Sequence, residues 1–321
     1  MRTTAVPLED NSRLSYPHAF TAAPPMQRHS RRAFMGALFC LFSTRPLHGQ
    51  QKPDRIVSTA PSITEALFAL GLGDQVVGVS QYCNYPPQVV RLPKVGTYIK
   101  PDLEAIARLV PDLVVLQTAP LDLKDRLKAL GIVFVEVPHG TLEDVFTGIQ
   151  IIAKATGTPE RSAALINRIQ GSLQAIQAKA RVLPSPRVVA ILNRKQGTLT
   201  DLTAVGPDNY MNQILQIAGA VNVLAKSGVP RYPHISLETI ISEDPDVILD
   251  LSSSQDSESE RQVERAAVLA LWGQNQSLKA VHSGHVYFGT SNVLLVPGPR
   301  APEAAEVLFD FMHSNPGEKK S

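Results

Sequence analysis

The segment YIKPDLEAIARLVPDLVVL, starting at Tyr98, is echoed 134 positions later by YPHISLETIISEDPDVILD, starting at Tyr232. Both copies read Tyr, four residues, Leu-Glu, one residue, Ile, four residues, Pro-Asp, then an apolar run. So many matches at one fixed offset constrain the chain to two halves of related plan. In each copy a polar residue, Asp102 or Ser236, stands where a helix N-cap belongs. Pro111 ends the first helix, since proline cannot continue it, and DLVVLQ after it reads as a strand.

Around the repeat, helical and strand patterns alternate. RIVSTA is a buried strand and PSITEALFALG an amphipathic helix, with Ser62 and Glu65 spaced as a capping box and Gly71 as its stop. QVVGVS is a strand, LKDRLKALG a helix, VFVEVP a strand, and TLEDVFTGIQIIAKATG closes the first half. Pro159 to Ala180 carries helical spacing and no strand signal; at 1.5 Å per residue it would run about 33 Å. The alternation then restarts with RVVAILN and NYMNQILQIAGA, which ends at Gly219 as the earlier helix ended at Gly71. After the second copy come a polar loop, SSSQDSESE, the helix RQVERAAVLALWG, the strand HVYFGT and a closing helix, PRAPEAAEVLFDFMHS. The expected fold class is α/β: two Rossmann-like lobes with mainly parallel sheets, joined by one long α-helix. The expected boundaries are 50–157 for the first lobe, 158–183 for the helix and 184–321 for the second lobe. With 321 residues, 44% of them hydrophobic, each lobe can bury a core of its own.

Residues 1–49 have a separate character. Arg31-Arg32 stand before an apolar segment, Ala33 to Phe42, far shorter than the roughly 20 residues that span a bilayer. Basic start, short apolar middle and small residues near Gly49 describe a signal peptide, and SRRAF resembles a twin-arginine export signal. Met26 could be the start, since the residues before it add nothing to the signal. Cys40 follows Phe39 where a lipobox wants a small residue. The mature protein is expected to begin near Gln50 and to work in the periplasm.

No catalytic motif is present. Gly71-x-Gly73 follows a helix, whereas a dinucleotide fingerprint follows a strand, and there is no P-loop, nucleophile elbow or His-Glu-x-x-His. An exported α/β enzyme would need a nucleophile–base pair that nothing in the sequence marks. A net charge of +2 leaves no nucleic-acid footprint. His282 and His285 flank a Ser-Gly turn without nearby Cys or carboxylates, which describes turn histidines better than a metal site. Cys83 could ligate a soft metal or the cobalt of a corrinoid, but a free cysteine more often serves as a small buried hydrophobe.

What remains is paired across the halves. Tyr98 precedes its helix as Tyr232 precedes its own, and Tyr82 and Tyr85 follow a strand end, where α/β sheets bind ligands. A large flat ligand held between lobes needs aromatic faces with polar tips, which tyrosine supplies. Glu104 and Glu238 each fall two residues after an N-cap. They could simply complement the helix dipole, or form a two-point docking surface with one carboxylate per lobe. The spacing leaves both readings open.

STAPSITEALFALG, VVGVSQYCNYPP, VGTYIKPDLEAIARLVPDLVV and RYPHISLETIISEDPDVIL together resemble the substrate-binding proteins of ABC importers. The resemblance is to the subgroup with two lobes bridged by one helix, which carries vitamin B12, haem or iron–siderophores, and is closest to its B12-binding members. It covers about residues 54–313. It implies that Tyr82, Tyr98 and Tyr232 line the ligand cleft, and that Glu104 and Glu238 meet arginines on the two permease subunits. Asn292 and Val296 stand where B12 carriers have an Asp and an Arg facing the ligand, a departure that touches ligand identity. Arg300, in the following Pro-Arg, either reaches the cleft or starts the last helix.

The expectation is a periplasmic carrier that is not an enzyme and works as a monomer with an ABC permease and its ATPase. It would hold a corrinoid, or alternatively haem or a ferric siderophore, with candidate ligand residues Tyr82, Tyr85, Tyr98, Tyr232, Asn292 and Arg300. A bare metal ion fits least, because no histidine recurs at equivalent places in both halves. A binding module serving a sensor would carry the same features.

Overall fold

The protein is described by a computed structural model over residues 52–118, 121–252, 258–289 and 292–313. The expected export segment, with Arg31 and Arg32, lies outside the described residues. The first half holds β1 (Ile56–Ser58), α1 (Pro61–Ala69), β2 (Val76–Val79), α2 (Leu103–Arg108), β3 (Leu113–Gln117), α3 (Leu121–Ala129), β4 (Phe134–Val137) and α4 (Leu142–Ala155). Next comes α5 (Pro159–Ala180). The second half holds β5 (Arg187–Asn193), β6 (Leu202–Ala204), α6 (Tyr210–Ile217), β7 (Val221–Asn222), β8 (His234–Ile235), α7 (Leu237–Glu243) and β9 (Val247–Asp250). It finishes with α8 (Glu258–Trp272), α9 (Lys279–His282), β10 (Val286–Phe288), α10 (Asn292–Leu295) and α11 (Ala301–His313).

The two sheets are wound alike. In the first, the order is β2-β1-β3-β4 and every pairing is parallel. In the second, β7, β5, β9 and β10 pair in parallel in that spatial order. Numbered by appearance within each half, both arrangements read 2-1-3-4. The strands β1 and β9 are buried along their whole length, as expected where helices cover both faces of a parallel sheet. The second sheet differs by β6 and β8, which extend it in antiparallel fashion beyond β5. Strands of two and three residues leave no period in the sequence, so this extension was not foreseen.

The repeated segment owes its pattern to architecture. Asp102 caps α2 by accepting from the Glu104 and Ala105 amides, and Ser236 caps α7 by accepting from the Thr239 amide. Ile106 and Ile240, on these helices, are side chains that each helix turns into its core. Asp112 accepts the backbone amides of Asp54 and Arg55, just as Asp246 accepts that of Arg187. The Arg55 guanidinium donates to the carbonyl of Leu109 at 2.7 Å, and that of Arg187 to the carbonyl of Glu243 at 2.8 Å. Each helix end is thus tied to the strand that opens its half.

One local expectation is overturned. Ser62 and Glu65 do not form a capping box: α1 begins at Pro61, its N-cap is Ala60, and no side chain caps it. Pro61 presets the first turn and needs no amide partner, which leaves Glu65 one turn in, buried among Ile63, Ala66 and Leu67.

The chain passes between the sheets through α5. Its buried residues Ile166, Ile169, Leu173, Ile176 and Ala180 recur every three or four positions, with Leu165 beside Ile166, the stripe of an amphipathic helix. That stripe belongs to a core running from Ile56 and Leu67 through Ile149 and Ile169 to Ala304 and Leu308. Smaller clusters lie within each half, around Ile106 and Leu127 and around Ile248 and Trp272. The halves therefore share packed side chains along the helical layer.

Candidate functional site

Parallel strands direct their carboxyl ends to the loops where α/β sheets bind ligands. Tyr82 and Tyr85 follow β2, Tyr98 lies on the connection from β2 to α2, and Tyr232 lies on the connection from β7 to α7. All four are exposed, at 49%, 45%, 48% and 47%. Among the described residues the exposed large aromatic side chains are these four, and all lie at the carboxyl ends of the two sheets; clustered exposed aromatics of this kind mark a binding surface. The rings of Tyr82 and Tyr98 meet at 5.8 Å between centroids, tilted by 56°. Tyr85 lies under the Arg300 guanidinium, whose central carbon is 4.0 Å from the ring centroid. Tyr232 makes no ring contact with the other three among the described residues.

Its neighbour Arg231 crosses toward the first half. Glycine at position 140, with φ +129°, leaves room for it: a Cβ there would stand 2.7 Å from an Arg231 terminal nitrogen. Two further contacts pin the halves together here. The Tyr210 amide donates to the Gly140 carbonyl at 2.6 Å, and the Leu142 amide donates to Gln213 Oε1 at 2.7 Å.

A partly buried ion pair also joins the two halves. Arg300 donates from Nε to Glu65 Oε2 at 3.0 Å and from a terminal nitrogen to Glu65 Oε1 at 2.5 Å. A second acid, Glu303, approaches Arg300 at 3.8 Å. Burial pushes the Glu65 carboxyl up, while the bond and charge of Arg300 oppose that rise. Burial would lower the Arg300 guanidinium, but Glu65 outweighs it and leaves Arg300 raised. Sequence reasoning missed this use of Glu65. The available signal was an acid in the middle of an apolar helix, ITEALFALG, since a buried charge requires a partner.

Glu104 and Glu238 are exposed on the first turns of α2 and α7. Both helices follow strand–helix connections, so the carboxylates stand at the same end of each sheet as the tyrosines. Glu104 faces Arg108 at 4.0 Å, one turn along. A bond from the Ser236 hydroxyl lowers the Glu238 carboxyl. The backbone of Asn292 opens α10; its side chain lies outside the described residues.

At the carboxyl ends of β5 and β9, Arg194 and Asp250 form a second pair, this one buried, at 3.0 Å. Arg194 also lines an open cavity of about 690 Å³ against α8, whose Val263, Ala267 and Leu271 form the apolar wall.

Cys83 is buried and its sulfur lies 3.2 Å from Thr64 Oγ1, with burial pushing the thiol up. It packs in the core instead of facing the tyrosines. His282 and His285 lie on the turn entering β10, the end of that strand away from the ligand-side loops. The His285 ring is 2.8 Å from the Ser283 hydroxyl. Among the described residues no three His, Cys, Asp or Glu side chains are grouped to hold a metal ion. No described helix is long and apolar enough to cross a membrane.

Comparison with known proteins places the chain among solute carriers. The sequence profile of a family described as periplasmic binding protein matches residues 56–293. A vitamin B12-binding protein of Vibrio parahaemolyticus is 27% identical over 277 residues, covering 85% of this chain and 94% of that protein. An uncharacterized ABC transporter substrate-binding lipoprotein of Bacillus subtilis is 28% identical over 269 residues, covering 82% of this chain and 81% of that protein. Among solved structures, the apo form of a periplasmic heme-binding protein from Roseiflexus superposes with a TM-score of 0.70. It is 27% identical, and the match covers 81% of this chain and 99% of that one.

Proposed function

The chain belongs to the periplasmic binding protein family, and from that membership we propose that it captures a corrinoid between its two halves and delivers it to an ABC importer. The observation that carries the corrinoid-sized ligand is the set of exposed tyrosines at the carboxyl ends of both sheets. Tyr82 and Tyr98 present a tilted pair of faces from one half, and Tyr232 presents a third from the other. Aromatic faces hold a flat macrocycle by contact area, and their hydroxyls can meet its polar rim. Tyr85 completes the lining, and Arg300 acts on it through the Tyr85 ring.

Haem is the second reading. A phenol oxygen is an established axial donor to haem iron, which the B12 reading does not need. The heme-binding relative from Roseiflexus supports it.

Glu104 and Glu238 dock the carrier on the permease, one acid per half, so that complementary charge sets the register of the encounter. Docking pulls the halves apart and lowers ligand affinity, the only way a partner can shift such an equilibrium. The shared core through α5 keeps that motion small. Arg31 and Arg32 direct export by the twin-arginine route; replacing both with Lys is expected to retain the protein in the cytoplasm.

The deciding experiment is calorimetry on the mature protein with cyanocobalamin, haemin and a ferric siderophore. Tight binding of cyanocobalamin alone establishes the corrinoid reading, binding of haemin alone replaces it by the second, and silence with all three ends the carrier proposal.

A further inference from the structure

We propose that Glu65 is a positioning residue for the ligand site: with Arg300 it forms a clasp between the two halves that holds the Tyr85 ring in place. The proposal rests on the reading of Tyr85 as a ligand-lining residue. Glu65 comes from α1 in the first half, and Arg300 from the strap Pro297-Gly298-Pro299 that leads into α11. The two positions are 235 residues apart in sequence.

The geometry uses every part of one guanidinium. Its inner edge is bidentate on Glu65, an outer nitrogen faces Glu303, and its flat face covers Tyr85 at 4.0 Å. Lysine cannot do this, because its ammonium is a point charge without a plane or a fork. The strap is shaped for the approach: a Cβ on Gly298 would stand 3.1 Å from Glu65 Oε2 and 3.7 Å from Ser62 Cα. Glu65 itself is 4% exposed and Arg300 is partly buried, so the acid is shielded from water and the guanidinium reaches it from the edge.

Tyr85 by contrast is on the surface and makes no other ring contact among the described residues. Its side chain would be free to rotate without the cation over its face. The clasp therefore links a partly buried charge pair, fixed by the packing of α1, to an aromatic group on the ligand side. Tyr210 stands close by: its buried hydroxyl has no hydrogen-bond partner among the described residues, and the Glu65 charge adds to the burial that pushes its phenol up. The surroundings of the clasp are thus dry enough for the pairing to be strong.

The test compares E65Q, R300K, Y85A and the double variant E65M/R300M with the parent mature protein. Binding of cyanocobalamin and of haemin is titrated, melting is followed, and the Tyr85 ring is observed by fluorine NMR after fluorotyrosine labelling, with Y85F marking its resonance. R300K and E65Q are expected to shift the Tyr85 resonance and to weaken the bound probe about tenfold, a cation–π-sized effect. In E65M/R300M, apolar groups replace the partly buried pair, so melting returns toward the parent value while binding stays weak. Parent-like affinity in that double variant, or in Y85A, overturns the proposal. If the parent binds neither these probes nor a ferric siderophore, the carrier reading fails by itself. The clasp then stands or falls on whether E65Q and R300K move the Tyr85 resonance in the unliganded protein.

Discussion

Val110 and Asp244, 134 residues apart, both carry the chain through the left-handed region, at φ 45° and 40°. Each ends its helix just before a Pro-Asp pair, at α2 and α7. The same turn is built twice with different residues, and the residues are not equally suited to it. A β-branched side chain in this region is a genuine outlier, and Val110 is 71% exposed, with little packing to compensate. V110G is therefore expected to raise stability by about 1 kcal/mol, the αL penalty less the entropy glycine adds to the unfolded chain. Asp244 tolerates the turn and accepts the Lys279 amide at 3.0 Å. D244G should have the opposite sign, a small loss from that bond. Urea unfolding of both variants measures the difference; a stabilised D244G would show that the bond is idle.

Tyr98 and Tyr232 are predicted to be separable from folding. Both are half in water, so Y98A and Y232A should leave melting nearly unchanged. Each should weaken the bound macrocycle by about 2 kcal/mol, roughly thirtyfold, as truncated aromatic anchors do. Equilibrium titration with the probe that calorimetry identifies checks this. Unchanged affinity in both variants would move the ligand away from this end of the sheets.

Glu104 and Glu238 are predicted to affect delivery and not capture. E104A/E238A should keep ligand affinity within about twofold and lower permease-dependent uptake by at least about tenfold, since like-for-like loss of two docking charges slows encounter and spoils register. Uptake into cells expressing the transporter, set beside affinity of the purified protein, separates the two effects. Uptake at the parent level would leave these acids as helix-dipole partners only.

The duplicated segment was legible because each of its matched residues has a local task. Asp102 and Ser236 cap helices within three residues of themselves, and α5 announces its length through a stripe confined to 22 residues. The carboxyl-end position of the tyrosines followed from strand order alone. What escaped was long-range or very short. The meaning of Glu65 depends on an arginine 235 positions away, while its local spacing from Ser62 imitates a cap that Pro61 makes unnecessary. Arg231 gains its reach from a glycine in the other half. The strands β6 to β8 are held by pairing with β5 and with each other, so no period of their own betrays them.

Acid is predicted to loosen the end of α7. A bond from the Lys226 ammonium lowers the Glu243 carboxyl, with Arg187 adding to it, and the Lys279 amide lowers Asp244. Carboxylates depressed in the fold contribute stability that is present above their unfolded pKa and is lost as pH falls through the folded one. Glu65, raised by burial, works the other way and favours the folded state as it is protonated. The stability lost between about pH 5 and about pH 3 should therefore shrink in E243Q/D244N, while the opposing gain from Glu65, which lies at pH values above the ordinary carboxylate pKa, should disappear in E65Q. Urea midpoints at a series of pH values measure both slopes, and equal slopes in all three proteins would refute the assignment.

Asp250 is predicted to be the costliest single charge to remove. Its side chain is fully buried at the end of β9 and faces the equally buried Arg194 at 3.0 Å. The same carboxylate oxygen accepts the Trp272 indole N–H at 2.9 Å, and the other accepts the Ser252 hydroxyl and amide. Every lone pair the acid offers is directed at a donor, which is what makes a buried carboxylate tolerable. D250A leaves a guanidinium and an indole unpaired in the second core, and breaking such a pair costs about 3–5 kcal/mol. Replacing both charges, as in R194L/D250L, should recover most of that loss, because the desolvation penalty disappears with the pair. Trp272 is the only tryptophan in the chain and is fully buried, so its emission reports unfolding of this half directly. A D250A protein within about 1 kcal/mol of the parent would mean that water reaches Arg194 from the adjoining cavity and takes the place of the acid.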